Sequence, residues 1–255
     1  MIQHKKKIRK DLYMIILYIL GGILAIILLY ILFLTVCTLA VSKKKDYKTY
    51  NMFYNGVLKG LMFLVLSLCR VRTHVENIEK IPKDQKLLFI CNHRSNFDPM
   101  VTWFALNKWK IGYISKASNF KLPFLGRMIR RICFMSIDRE NPRNAITTIN
   151  KAAEILGNDV ASIGVYPEGT RSKECILLPF HNGVFKIAQK ATAPIVVLSV
   201  VGTEKIHKRA PFKATDVYLD VLKIIPADEA KATKTDIIGE KVKVLIENNI
   251  EKREK

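Results

Sequence analysis

Residues 86–99 read Lys86-Leu87-Leu88-Phe89-Ile90-Cys91-Asn92-His93-Arg94-Ser95-Asn96-Phe97-Asp98-Pro99. The unbroken apolar run from Leu87 to Cys91 suits a buried strand, and Asp98 before Pro99 reads as the N-cap and first residue of a helix. A strand that passes through a short polar turn into a helix is the building unit of an α/β domain. The chain beyond Arg72 repeats this alternation. Strands are expected at 86–91, 110–115, 132–137, 160–166, 194–201 and 217–225, with helices at 98–107, 124–131, 142–157, 183–191 and 234–253. In such folds, polar residues just past strand ends are the ones that meet a ligand.

The 255 residues include 42 Lys and Arg against 22 Asp and Glu, a net charge of +20, and 49% are apolar. That length suits one globular domain with an appendage, and the apolar share excludes overall disorder. Residues 1–50 carry nine basic and two acidic side chains, residues 51–225 carry 26 and 13, and the last thirty hold seven of each. The middle of the chain is therefore basic in its own right. Such a field draws phosphate-bearing partners, which are nucleic acid, anionic lipid or a phosphorylated metabolite. The basic residues are scattered without aromatic interleaving, which argues against nucleic acid. Cys37, Cys69, Cys91, Cys133 and Cys175 form neither a C-x-x-C pair nor a zinc pattern, as in proteins of a reducing compartment.

From Leu12 to Val41 thirty consecutive residues carry no charge. As a helix this run would be about 45 Å long, against a hydrocarbon core of about 30 Å. It exceeds the roughly 7–15 apolar residues of a cleaved signal peptide, and no A-x-A-like site closes it. A second, amphipathic helix is expected over 50–69, with Asn51, Asn55, Lys59 and Arg70 along one stripe, in keeping with an interfacial position. The expected division is a membrane anchor over 1–72 and an α/β domain over 73–255. Basic residues flank the apolar run on both sides, so charge alone does not orient it. One arrangement is a hairpin in a single leaflet that keeps both flanks on the cytosolic face.

His93 and Asp98 are five positions apart, which on one helix would turn them about 140° out of alignment. Across a strand-to-helix turn they can meet. A carboxylate that holds one imidazole nitrogen fixes the tautomer and leaves the other free to accept a proton. A second polar cluster, Tyr166-Pro167-Glu168-Gly169-Thr170-Arg171-Ser172, also follows a strand. There Gly169 permits close backbone approach, Thr170 and Ser172 offer hydroxyls, and Arg171 supplies a planar fork for phosphate.

Asn92-His93-x4-Asp98, Ile137-Asp138-Arg139, Pro167-Glu168-Gly169-Thr170-Arg171-Ser172 and Ala193-Pro194-Ile195-Val196, in this order and spacing, resemble the four motifs of the 1-acyl-glycerol-3-phosphate acyltransferase family. The resemblance covers about residues 73–210. Lys116, Pro123-Phe124-Leu125-Gly126 and Pro179-Phe180-His181-Asn182-Gly183 add to it. It implies a mixed central sheet flanked by helices behind an N-terminal membrane-embedded segment. His93 would be the base and Asp98 its orienting partner. Asn92, Lys116, Arg139, Glu168, Gly169, Thr170 and Arg171 would bind the glycerol phosphate of the acceptor, with Glu168 orienting Arg139 or Arg171 through an ion pair. Pro194 would mark the acyl-donor region, and His181 matches no catalytic position.

The reaction so implied moves a fatty acyl group from acyl-CoA or acyl carrier protein to the 2-hydroxyl of lysophosphatidic acid at the cytosolic face of a membrane. It implies no cofactor and no metal, because the thioester is already activated. Three alternatives stay open at this point. They are a different lysophospholipid or glycerol phosphate as acceptor, a metal-dependent hydrolase built on His93, Asp98 and Glu168, and a membrane-tethered protein that binds anionic polymers.

Overall fold

The computed structural model describes residues 2–43, 45, 47–138, 141–172 and 174–255, with residues 2, 3, 5–8 and 142 described by their backbone alone. The chain divides into two compact units, Met1–Lys45 and Asp46–Lys255.

The smaller unit is built on one helix, α1 (Ile2–Leu39). It begins ahead of the expected start at residue 12, because Lys and Arg extend a helix as readily as most apolar residues do. Its stretch Arg9–Leu39 is long and apolar enough to cross a membrane. The hydroxyls of Thr35 and Thr38 donate back to the carbonyls of Ile31 and Leu34 at 2.8 and 2.9 Å. Such bonding to the preceding turn satisfies a hydroxyl donor within an apolar helix.

The larger unit contains α2 (Met52–Leu68), β1 (Val71–Glu76), β2 (Leu88–Cys91), α3 (Asp98–Ala105), β3 (Ile111–Lys116), α4 (Leu125–Arg130), β4 (Met135–Ile137) and α5 (Pro142–Gly157). Then follow β5 (Ser162–Val165), α6 (Lys186–Ala191), β6 (Ile195–Val201), α7 (Ile206–Arg209), β7 (Thr215–Ile225), α8 (Ala227–Ala232) and α9 (Thr235–Glu254). Among the described residues the strands form one sheet in the order β1-β7-β6-β2-β5-β3-β4. All neighbours are parallel except β6 and β7. The sheet is therefore mixed, as the motif pattern implies. Strands β2 to β6 all run one way, so the loops that leave β2, β3, β4, β5 and β6 open at one edge, where a binding crevice forms.

Every residue of β2, β5 and β6 is buried, as strands covered on both faces must be. On one face Leu88 and Ile90 pack with Ile163, Ile195 and Val197 against α5, α6 and α9. On the other face Phe89 meets Trp109 edge to face at 6.2 Å, and the Trp109 indole donates to the Pro82 carbonyl.

Several elements depart from the sequence expectation. The larger compact unit starts at Asp46, ahead of residue 73, and so includes α2. The stripe expected on α2 does not face outward as a set. Asn51 caps the helix through the N–H groups of Phe53 and Tyr54. Asn55 is buried, where it exchanges hydrogen bonds with Asn107 and accepts from the Tyr50 hydroxyl. The outward face of α2 is apolar instead, with Met52, Phe53, Phe63, Leu64 and Leu68 exposed.

Strand β1 was not expected. As an edge strand it needs only one partner, and its polar alternation gives no long apolar run. The strand expected from residue 132 begins at Met135, because Arg131–Cys133 turn, with Cys133 in the left-handed region at φ 60°. The helix expected from residue 183 opens with a 3-10 turn over Asn182–Phe185 before α6.

Candidate active site

The His93 side chain leaves the end of β2, and Asp98 opens α3. Asp98 is the first helical residue, not the N-cap, and its carboxylate turns back into the loop. Oδ2 accepts from His93 Nδ1 at 2.8 Å and from the backbone N–H groups of Arg94 and Ser95 at 2.6 and 2.7 Å. Oδ1 accepts from the Thr203 hydroxyl, which arrives from the end of β6. Asp98 is fully buried, and a buried carboxylate is tolerable only with such a set of donors. With Nδ1 bonded to Asp98, Nε2 is the imidazole nitrogen left to accept a proton.

The imidazole is also held by its plane. Tyr166 stacks on it with centroids 4.5 Å apart and planes 27° apart, and Tyr113 stacks behind Tyr166 at 5.6 Å and 12°. The Thr102 hydroxyl donates to the Asp98 carbonyl at 2.8 Å and lies 2.7 and 2.9 Å from the hydroxyls of Tyr113 and Tyr166. Burial pushes both phenols above the usual tyrosine range, so they remain neutral O–H groups.

Glu168 departs from its expected part. Its Oε1 accepts from the His93 backbone N–H at 2.6 Å and its Oε2 from that of Leu178 at 3.0 Å. The carboxylate therefore pins the loop after β2 to the loop after β5 and does not pair with Arg171. Burial pushes its pKa up to about 7. The Ser172 N–H donates to the His93 carbonyl at 3.1 Å and closes the same junction. Gly169 has φ 68°, and a Cβ there would stand 2.9 Å from Cδ2 of His181, so this turn requires glycine on two counts.

His93 borders a cavity of about 700 Å³. Lys116, Gly169, Thr170, Arg171 and His181 line it with polar groups. Leu58 and Met62 of α2, Trp103 of α3 and Ile129 of α4 line it with apolar ones. A space that joins cations to a greasy wall suits an amphiphile with an anionic head.

Not every candidate reaches this space. Asn92 is fully buried, and its amide bridges the Val200 backbone, donating to the carbonyl at 2.9 Å and accepting from the N–H at 2.8 Å. It joins β2 to β6, with its amide oxygen and one amide N–H engaged by the Val200 backbone. Pro194 is buried at the start of β6 beside Leu88, whose N–H donates to its carbonyl. Since β2 and β6 are parallel, Pro194 lies at the opposite sheet edge from His93, roughly 13 Å or more away at about 3.3 Å per strand residue. What reaches Asp98 from this part of the chain is Thr203, just past the other end of β6. Arg139 lies outside the described residues.

Sequence reasoning missed Thr203, Tyr166, Thr102 and Arg94. Tyr166 was within reach of it, as an aromatic residue directly before Pro167-Glu168-Gly169. Arg94 is buried beside His93, and its Nη2 donates to Glu254 at 2.6 Å. Among the described residues no three His, Cys, Asp or Glu side chains are grouped for a metal ion.

The described residues thus form a mixed α/β sheet that presents a carboxylate-held imidazole beside a cavity with cationic and apolar walls. The Acyltransferase family model matches residues 72–201, and the chain belongs to that family. It is 28% identical over 195 residues to a 1-acyl-sn-glycerol-3-phosphate acyltransferase of Limnanthes douglasii, covering 75% of this chain and 66% of that one. It is 36% identical over 121 residues to one of Haemophilus influenzae, covering 46% and 50%. It is 32% identical over 136 residues to the chloroplastic enzyme BAT2 of Brassica napus, covering 53% and 39%. The chain thus spans from about two fifths to two thirds of the length of these relatives. In fold it matches the 1-acyl-sn-glycerophosphate (LPA) acyltransferase PlsC of Thermotoga maritima, with a TM-score of 0.67 over 87% of both chains at 21% identity.

Proposed function

We propose that this acyltransferase moves a fatty acyl group from a thioester donor to the 2-hydroxyl of lysophosphatidic acid and releases phosphatidic acid. The observation that carries this reading is the 2.8 Å contact between His93 Nδ1 and Asp98 at the rim of a cavity that also holds Lys116 and Arg171. His93 Nε2 takes the proton as the hydroxyl oxygen attacks the thioester carbonyl. The thiol of coenzyme A or acyl carrier protein then leaves, carrying the proton back from the imidazolium. Lys116 and Arg171 hold the phosphate, a role the family resemblance gives to Arg139 as well. The apolar wall takes acyl chain.

The carboxylates favour this reading over a metal-dependent hydrolase. Both oxygens of Asp98 and both of Glu168 already accept hydrogen bonds from the protein. The reaction needs no cofactor in this scheme. The helix Arg9–Leu39 anchors the chain in a bilayer, with the sheet unit on the cytosolic face, where acceptor and product reside. Thiol labelling of the N-terminus in sealed vesicles tests the single-leaflet hairpin, and labelling from the far side alone would exclude it.

The direct test incubates the purified chain in vesicles with labelled acyl-CoA or acyl carrier protein and a panel of lysolipids and glycerol phosphate. Phosphatidic acid is the expected main product. His93→Ala should lower turnover by about 10²–10⁴-fold without loss of folding. Normal turnover in that variant would remove the mechanism, and a different preferred acceptor would redirect the substrate assignment within the family.

A further inference from the structure

We infer that the segment from Lys205 to Lys213 is a membrane contact separate from the helical anchor, with Phe212 as an apolar wedge and Lys208, Arg209 and Lys213 as ligands for anionic phospholipid headgroups. Phe212 is 88% exposed, more than any other large apolar side chain of the larger unit among the described residues. Its exposure is not that of a loose end. Arg70 Nη1 donates to the Phe212 carbonyl at 3.0 Å, and the Lys213 N–H donates to the Arg209 carbonyl at 2.8 Å. Ile206 is fully buried and roots α7 beneath the segment. The fold therefore holds an aromatic ring outward on a braced turn, in water, where it contributes nothing to the core.

Two observations indicate what covers it. The first is continuity. Arg70 stands two residues beyond the end of α2, and Leu68 there is 62% exposed, at one end of the outward apolar face of that helix. The Arg70 guanidinium, bonded to the Phe212 carbonyl, links this end of α2 to the Phe212 turn. The second is charge. Lys205, Lys208 and Lys213 are exposed on the same segment, with Arg70 and Arg72 exposed on the stretch that enters β1. The nearby carboxylate, Asp216, is engaged by His74 Nε2 at 2.9 Å and faces Arg72 and Arg209 as well. Exposed cations around an apolar wedge match an anionic bilayer surface, where each contributes to binding within a Debye length.

The location gives this contact a use. The segment leaves the C-terminal end of β6, and Thr203 at its root donates to Asp98. A surface held at Phe212 therefore turns the edge of the sheet that carries His93 toward the lipid.

The inference rests on the membrane reading above, and its test separates the two. The full chain carrying Phe212→Trp is reconstituted into vesicles of phosphatidylcholine with phosphatidylglycerol, their acyl chains brominated. The two native tryptophans, Trp103 and Trp109, are only 2% and 4% exposed, so the unsubstituted chain supplies the background. The expected result is a blue-shifted, bromine-quenched emission from the introduced indole. With Lys208→Gln, Arg209→Gln and Lys213→Gln added, surface occupancy of the segment should fall about fivefold per cation removed.

Chain that floats with the vesicles but gives water-like, unquenched emission would overturn the inference and leave the anchor standing. Equal quenching in pure phosphatidylcholine would overturn its headgroup half. Chain that fails to float would overturn both readings.

Discussion

Thr203 shows how much a single hydroxyl can carry at this site. It reaches the one oxygen of Asp98 that His93 and the loop amides do not use. Thr203→Val keeps the shape and removes the donor, leaving a fully buried carboxylate short of one partner, at a cost of about 1–3 kcal/mol. The variant should melt earlier in detergent and lose kcat more than it raises KM, since the carboxylate then holds the imidazole less firmly. Thr203→Ser should restore both. Glu168 makes a prediction in pH. Its carboxyl is raised from the usual 4.5 to about 7, so between these values the folded chain binds a proton that the unfolded chain has released. Its contribution to stability is therefore fully present below about pH 4.5 and is lost as pH rises through about 7, by about 3 kcal/mol. Unfolding midpoints taken across pH 4.5–8 should show this component in the wild type and lack it in Glu168→Gln. An unchanged pH profile in the variant would assign the dependence to another group. That variant should also lose activity, because an amide nitrogen cannot accept from the N–H that one carboxylate oxygen now serves.

At the scale of elements, most of the sheet was legible because β2, β5 and β6 are apolar without interruption, and α5 was legible to the residue from Asn141 and Pro142 at its start. The site was legible only where one loop holds both partners. His93 and Asp98 lie on one strand-to-helix turn, so their spacing carried the information. Thr203 meets Asp98 across 105 positions of sequence, and no local pattern announces such a contact. Pro194 lies at the far end of β6 from His93, since a motif marks a strand but not the end of it that reaches the imidazole. The role of Glu168 was hidden because a backbone N–H leaves no trace in the sequence. The β3–β5 pairing supplies its own test. Tyr113 and Gly164 are register partners, and a Cβ on Gly164 would collide with the Tyr113 ring. Gly164→Ala must push Tyr113 away from Thr102 and Tyr166. The expected outcome is a destabilised protein, by about 1–3 kcal/mol as for other overpacked cores, with activity reduced more than in a Tyr113→Phe variant that keeps the ring.

Across the whole sheet unit, the last turn of α9 gathers what the chain builds far apart. Arg253 Nε donates to Asp220 of β7 at 2.9 Å, its guanidinium also engages Glu76 of β1, and it lies over the Tyr218 ring at 4.7 Å. The next residue, Glu254, takes Nη2 of Arg94 beside His93. One turn of helix thus ties the antiparallel edge of the sheet to the loop that carries the imidazole. The two ties differ in environment. Asp220 is 3% exposed in its side chain and Glu254 is 45% exposed, so solvent screens the second pair and weakens it. Arg94 is 4% exposed in its side chain but keeps Glu204 Oε2 at 3.7 Å from its Nε, so Glu254→Gln should cost about 1 kcal/mol, whereas Arg253→Gln leaves the Asp220 carboxylate buried without its cation and should cost about 3 kcal/mol or more. Thermal melts of the two variants in the same detergent give the comparison. Function should invert the order. Arg94 is buried against the site, so Glu254→Gln, the milder change for folding, should be the one that lowers kcat for its loss of stability, while Arg253→Gln assayed well below its melting point should turn over near the wild-type rate. If both variants lost activity only in proportion to stability, the last turn would serve as a clasp for the fold alone.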